Sequence, residues 1–208
     1  MKKLLSYLIL CLPLLFSVPN EARASHCAGA ELLFQWVHDS TYQLYYKFYR
    51  DCSGISEPGT VTVCCSNSCN NTTINVTLNK VTSLIPPGVN NGSEVARVCP
   101  GIHTSCGTPA GTTPGYREWW YSNTVTLPLK CNHWTFSTSQ SARNSAITNL
   151  TNPGGQNLYT EATLDNRDAQ GDTSPFFSVK PVPYICANIP YTYNNGAYDL
   201  NNDSMVFK

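Results

Sequence analysis

Charge is scarce in this chain. Only 12% of its 208 residues are Asp, Glu, Lys or Arg, and thirteen basic side chains cancel thirteen acidic ones. That balance excludes a nucleic-acid binder held by a basic surface and a polyelectrolyte tail. Sustained helical periodicity is lacking too: no segment keeps a 3.6-residue repeat beyond two turns, so almost no helix is expected. Catalytic signatures are also absent. There is no G-x-S-x-G and no H-E-x-x-H, and Glu31, Glu94, Glu118 and Glu161 are too scattered to name an acid/base pair. The chain is not expected to be an enzyme. Aromatic residues, by contrast, are plentiful. Four Trp, twelve Tyr and seven Phe give enough apolar area for a core and argue against disorder. Ser, Thr and Asn must then cover the surface, as in extracellular β-proteins.

The first residues, MKKLLSYLILCLPLLFSVPNEARASHC, read as an export signal. Lys2 and Lys3 form the positive start, Leu4 to Val18 the apolar stretch, and Ala22-Arg23-Ala24 the small-x-small cleavage site. Residues 1–24 are expected to be removed. Cys27 does not mark a lipoprotein, because His26 stands where a small residue would precede a lipidated Cys. No later segment is long and apolar enough to span a bilayer. Without Lys2, Lys3, Arg23 and Glu21 the mature chain carries ten basic and twelve acidic residues, about −2.

Ten Cys less Cys11 of the signal leave nine: Cys27, Cys52, Cys64, Cys65, Cys69, Cys99, Cys106, Cys131 and Cys186. An exported chain so rich in Cys is expected to be stapled by disulfides, with an odd thiol left over. Neither Cys64-Cys65-Cys69 nor Cys99-His103-Cys106 completes a zinc knuckle. Cys99 and Cys106 enclose a short Pro/Gly-containing loop and are the first pair expected to bond. Cys64 and Cys65 point to opposite faces of a strand and cannot share one partner.

Period-2 runs recur along the chain. ELLFQWVH (31–38) and TYQLYYKFYR (41–50) flank Asp39-Ser40 as a hairpin, with Tyr42, Leu44, Tyr46 and Phe48 on one face. GTVTVCC (59–65), TTINVTLN (72–79), YREWWYSNTVTLPL (116–129), HWTFSTS (133–139) and NLYTEATL (157–164) are further strands. Residues 85–115 read as a long irregular loop. The expected fold is all-β: a disulfide-stapled, Ig-like Greek-key sandwich over 25–174. Residues 175–208 hold only two or three strands, including a final one in NDSMVFK. That is too few for a sandwich, so an incomplete second β domain is expected.

Three collinear stretches carry a resemblance: SHCAGAELLFQW with YQLYYKFYRDCSG, then TVTLPLKCNHWTFSTSQSARNSAITNL (124–150), then LYTEATLDNRDAQGDTSPFFSVKPVPYICANIPYTYNNGAYDLNNDSMVF (158–207). They resemble the N-terminal module of large exported Bacteroidota surface proteins that carry gliding-motility-associated or type IX secretion sorting domains, followed by the start of a cadherin-like or Ig-like repeat. The resemblance implies a secreted, cell-surface, adhesive assembly and downstream domains of the same polypeptide. It transfers no catalytic residue. Two features depart from the pattern. Ser141 and Ala142 precede Arg143-Asn144 where Cys-Cys is frequent, which implies a missing disulfide. The repeat-entry motif, usually Asp-x-Asp-Gly-Asp, reads Asp199, Leu200, Asn201, Asn202, Asp203.

Two kinds of binding site are candidates. Asp199, Asn201 and Asp203 alternate along a loop, as oxygen ligands for Ca2+ do, with a solvated turn as the plainer reading. Asp165, Asp168 and Asp172 form a second acidic loop. Trp119, Trp120 and Tyr121 form an aromatic run in which Trp120 faces opposite to its neighbours, and Tyr45 and Tyr49 fall off the core face. Exposed, coplanar rings there would make a sugar-binding platform. The functional expectation is a non-catalytic structural or adhesive module, with a carbohydrate-binding module as the alternative. The expected partners are downstream domains, surface polysaccharide or another cell-surface protein, with no nucleic acid and no membrane span after signal cleavage.

Overall fold

The computed structural model describes residues 27–82, 90–95, 101, 103–107, 110–145, 147–167, 171–182, 184–185, 187–194 and 196–207. The expected export signal, Cys99, Asp168 and Cys186 lie outside these residues. The strands are β1 (Cys27–His38), β2 (Thr41–Asp51), β3 (Thr60–Asn67), β4 (Thr73–Lys80), β5 (Ser93–Glu94), β6 (Tyr116–Thr126), β7 (Trp134–Ser141), β8 (Asn157–Leu164), β9 (Phe176–Phe177) and β10 (Ala197–Tyr198). One 3-10 turn at Pro153–Gly155 is the only helical element among the described residues.

Eight strands form one antiparallel sheet in the order β1-β2-β6-β4-β3-β7-β8, with β5 added to β6. The sheet folds over on itself where β6 meets β4. Only two residue pairs align there, Asn79 with Ser122 and Lys80 with Tyr121. On one side of this joint lie β1, β2 and β6, and on the other β4, β3, β7 and β8. The all-β, disulfide-stapled sandwich expected from the alternation is therefore present, built from one continuous folded sheet.

Alternation decides what fills the space between the layers. Leu32 and Phe34 of β1, Tyr42, Leu44, Tyr46 and Phe48 of β2, and Tyr121 and Val125 of β6 turn inward. Val61, Val63 and Cys65 of β3, Val76 and Leu78 of β4, and Trp134 and Phe136 of β7 meet them from the opposite layer. Each Val, Leu or Phe among them contributes about 1.5–3 kcal/mol through its removal from water. The β1–β2 hairpin turns through Asp39, whose φ of 46° is in the left-handed region that Asp tolerates.

The free edge of β1 is covered by two separate pieces of chain. At its start the Cys27 amide donates to the Ala142 carbonyl at 3.1 Å and the Asn144 amide to the Cys27 carbonyl at 3.0 Å. Further along, the Ser174 amide donates to the Phe34 carbonyl at 2.9 Å, and the Phe34 amide to Ser174 Oγ at 3.0 Å. These contacts occupy two stretches of an edge that would otherwise invite another strand.

After Ser174 the chain becomes a strap. β9 and β10 are two residues each and pair only with one another, with the Phe176 and Tyr198 ring centroids 4.0 Å apart. The final strand expected in NDSMVFK is not formed: residues 202–207 are outside any strand and exposed.

Candidate functional site

The outward side chains of β1, β2 and β6 carry a connected network of charged and aromatic groups. The alternation that turns Tyr46 and Phe48 inward turns Tyr45, Lys47 and Tyr49 outward. Register sets Glu31 opposite Lys47 and Glu118 opposite Tyr49. Lys47 Nζ stands 3.1 Å from Glu31 Oε1 and 3.3 Å from Oε2, and the Tyr49 hydroxyl donates to Oε1 at 3.1 Å. The same ammonium lies 5.5 Å from the Tyr49 ring centre and 5.3 Å from that of Trp120. Trp120 Nε1 donates to Glu118 Oε1 at 2.6 Å. Lys180 of the strap approaches Glu118 Oε2 at 3.4 Å, close enough for charge attraction without a well-formed hydrogen bond.

Lys47 and Glu118 are each only 4% exposed, so these charges survive burial because each has a counter-charge. Burial, followed by the nearby Glu31 and Glu118 carboxylates, pushes the Tyr49 hydroxyl up and keeps it a donor. Among the described residues, the network of Glu31, Lys47, Tyr49, Glu118, Trp120 and Lys180 contains no Ser, Thr or Cys nucleophile.

Beside the network is a pocket of about 540 Å³. Its sandwich wall includes Gly29, Glu31 and Tyr49, continuing to Tyr116 and Asn144. Phe177, Val179, Pro181 and Tyr193 of the strap close the other side. Gly29 faces Tyr49 across the β1–β2 ladder, and a side chain there would begin 3.5 Å from the Tyr49 ring. Asn144 Nδ2 donates to the buried Asp51 carboxylate at 2.8 Å. Tyr184 donates to the Pro114 carbonyl at 2.6 Å, tying the strap to the loop before β6.

The predicted aromatic run does not form an exposed row. Tyr121 is fully buried in the core. Trp119 lies beneath Gly92, with Lys80 Nζ 4.9 Å from its ring centre. A Cβ at Gly92 would stand 2.5 Å from that ring, and its φ of +82° also favours glycine. Trp120 alone faces outward, as its place between two neighbours implied, but it is half-buried in the Lys47 and Glu118 network. Tyr45 meets it edge-on at 6.2 Å. The nearly parallel exposed pair is Tyr191 and Tyr193, with centroids 6.4 Å and planes 18° apart. Their i, i+2 spacing was the signal that could have singled them out.

The repeat-entry residues close a turn. Asp199 Oδ1 accepts the Asn201 amide at 2.7 Å and the Asp203 amide at 3.2 Å. Asn201 clasps the end of the sandwich: its Oδ1 accepts the Thr173 amide and its Nδ2 donates to the Gly171 carbonyl, both at 2.9 Å. Asp172 is raised above its usual range by burial, then by Asp203 and Asp199, so the two acidic loops do meet. Among the described residues no group of three His, Cys, Asp or Glu converges as a metal site. Asp165 is paired with Arg167 instead.

The cysteine pairing requires a correction. Cys106 is bonded to Cys52, not to Cys99, with Cα atoms 5.2 Å apart. The Cys52 amide donates to the Gly115 carbonyl, which draws the end of β2 against the loop that carries Cys106. Nearness in sequence is outweighed by this tertiary approach. A second bond joins Cys69 to Cys131. Cys27, Cys64 and Cys65 are free thiols. Disulfides of this kind form in oxidising compartments. No helix among the described residues is long and apolar enough to cross a membrane.

No protein-family model, curated protein or solved structure matches the chain.

Proposed function

We propose that this chain is a non-catalytic structural or adhesive module of an exported, cell-surface protein. The observation that carries the reading is the self-neutralised network of Glu31, Lys47, Glu118 and Lys180. The ionisable groups beside the pocket are committed to one another, which suits holding rather than chemistry. Two disulfides and a covered β1 edge suit a module that works outside the cell. Strap residues Ile185, Ile189, Val206 and Phe207, each more than 60% exposed, suit contact with further domains of the same polypeptide. In this reading 175–208 is the opening of such a domain, and secretion, gliding motility and type IX export are its setting.

The test uses cells of the source organism. Protease added outside intact cells should degrade the protein, and deletion of its gene should reduce attachment to surfaces. A chain protected inside the cell, or full attachment without it, ends this reading. The tyrosine-walled pocket favours a second reading, a carbohydrate-binding module, as the means of adhesion.

A further inference from the structure

We infer that the pocket between Tyr49 and the strap is a binding site for a neutral sugar ring. This inference rests on the adhesive reading and names the ligand class. Size comes first: about 540 Å³ lies within the roughly 300–1,000 Å³ of small-molecule sites and has room for a mono- or disaccharide.

The walls come next. Tyr49, Tyr116, Tyr193 and Phe177 supply aromatic surface. The negative face of such a ring attracts the weakly positive C–H face of a pyranose. Gly29 lines the pocket beside Tyr49, and a Cβ there would stand 3.5 Å from the Tyr49 ring, so a longer side chain would crowd this wall.

Polar chemistry narrows the class further. Glu31 Oε1 takes both the Tyr49 hydroxyl and the Lys47 ammonium, whereas Oε2 takes the ammonium alone. An ionised carboxylate has about four acceptor sites, so Oε2 can accept a ligand hydroxyl. The side chain is 15% exposed. Lys47 neutralises the Glu31 charge, which leaves no excess charge to select an anion or a cation. A ligand with an apolar face, hydroxyl donors and no charge is what these walls complement, and a neutral pyranose is such a ligand.

Tyr193 belongs to both the pocket and the exposed Tyr191–Tyr193 pair. Through Tyr191 the pair extends the aromatic surface beyond the pocket lining.

The experiment is titration calorimetry of the mature chain, disulfides intact, against cello-, xylo-, manno- and chito-oligosaccharides. At least one should bind. Gly29→Leu, which fills the space beside Tyr49, should weaken it at least tenfold. Tyr193→Ala, at a half-exposed strap position that does not threaten folding, should weaken it several-fold. Tyr159→Ala, at an exposed aromatic of the other layer, should bind as the parent does. The inference is overturned if no oligosaccharide binds at millimolar concentration, or if binding survives both pocket substitutions. Capture of apolar peptides in place of sugars, abolished by Gly29→Leu, also overturns it. Any of these results with surface display intact defeats the sugar site while leaving the adhesive reading standing.

Discussion

The ring of Phe34 meets that of Phe136 edge to face, with centroids 5.4 Å apart and planes at 62°. Phe34 comes from β1, at one end of the folded sheet's main path, and Phe136 from β7, next to the other end, so their contact closes one layer over the other. Phe136 is fully buried. Phe136→Ala leaves a cavity between the layers and should cost about 3–5 kcal/mol. Urea unfolding should show this loss as a lower midpoint with an unchanged slope. A loss below about 1 kcal/mol would mean that the layers do not depend on this contact.

The disulfide pattern makes a mapping prediction. Trypsin without reductant should release residues 51–80, which contain Cys52 and Cys69, joined to both 98–117 and 131–143. Recovery of 98–117 unlinked, with an internal Cys99–Cys106 bond, would restore the short-loop pairing. The bonds close separations of 54 and 62 residues. Each should contribute about 4 kcal/mol by the chain-entropy estimate. Cys69→Ser/Cys131→Ser should lower the melting temperature by roughly 10 °C.

The free thiols should differ in reactivity. Burial pushes the Cys27 thiol up to about 12, and burial with neighbouring Cys64 does the same to Cys65. Cys64 is half-buried on the opposite face of β3. Iodoacetamide added to the native protein should therefore alkylate Cys64 well before Cys27 or Cys65, which should react only on unfolding. Mass spectrometry of timed samples reads the order, and equal rates at Cys27 and Cys64 would contradict the buried position of Cys27.

Asp172 predicts a pH effect. Burial, Asp203 and Asp199 raise it above its usual 3.8, so the folded chain holds this proton more tightly than the unfolded one. Its contribution to stability falls as pH rises from about 3.8 through the raised folded value, and stays lost above that. Asp172→Asn should therefore be more stable than the parent at neutral pH, and the advantage should shrink in acid. Chemical denaturation at several pH values checks this. A less stable variant at neutral pH would show that the ionised carboxylate is needed, for instance to hold a cation with Asp199 and Asp203.

Local order in the sandwich was legible in the sequence because alternation is a property of neighbouring residues. Tyr42, Leu44, Tyr46 and Phe48 announce an inward face, and every long strand lies within a few residues of its period-2 run. The outward placement of Tyr45, Tyr49 and Trp120 follows from the same rule. What lies over those outward residues does not. Lys180 and Tyr193 reach the face of Tyr49 and Glu118 from more than sixty positions away, and no local pattern encodes that approach.

The sequence by itself determined an all-β chain, its hairpins, and a cysteine content suited to disulfides. Tertiary structure decided that Cys106 joins Cys52, that Asn201 clasps Thr173, and that a strap turns the outer face into a pocket. The physical reason is range. Strand formation is set by side-chain alternation over a few residues, whereas a disulfide or a pocket wall requires groups distant in the chain to meet at fixed distance and direction. Only the packed sheet supplies that geometry.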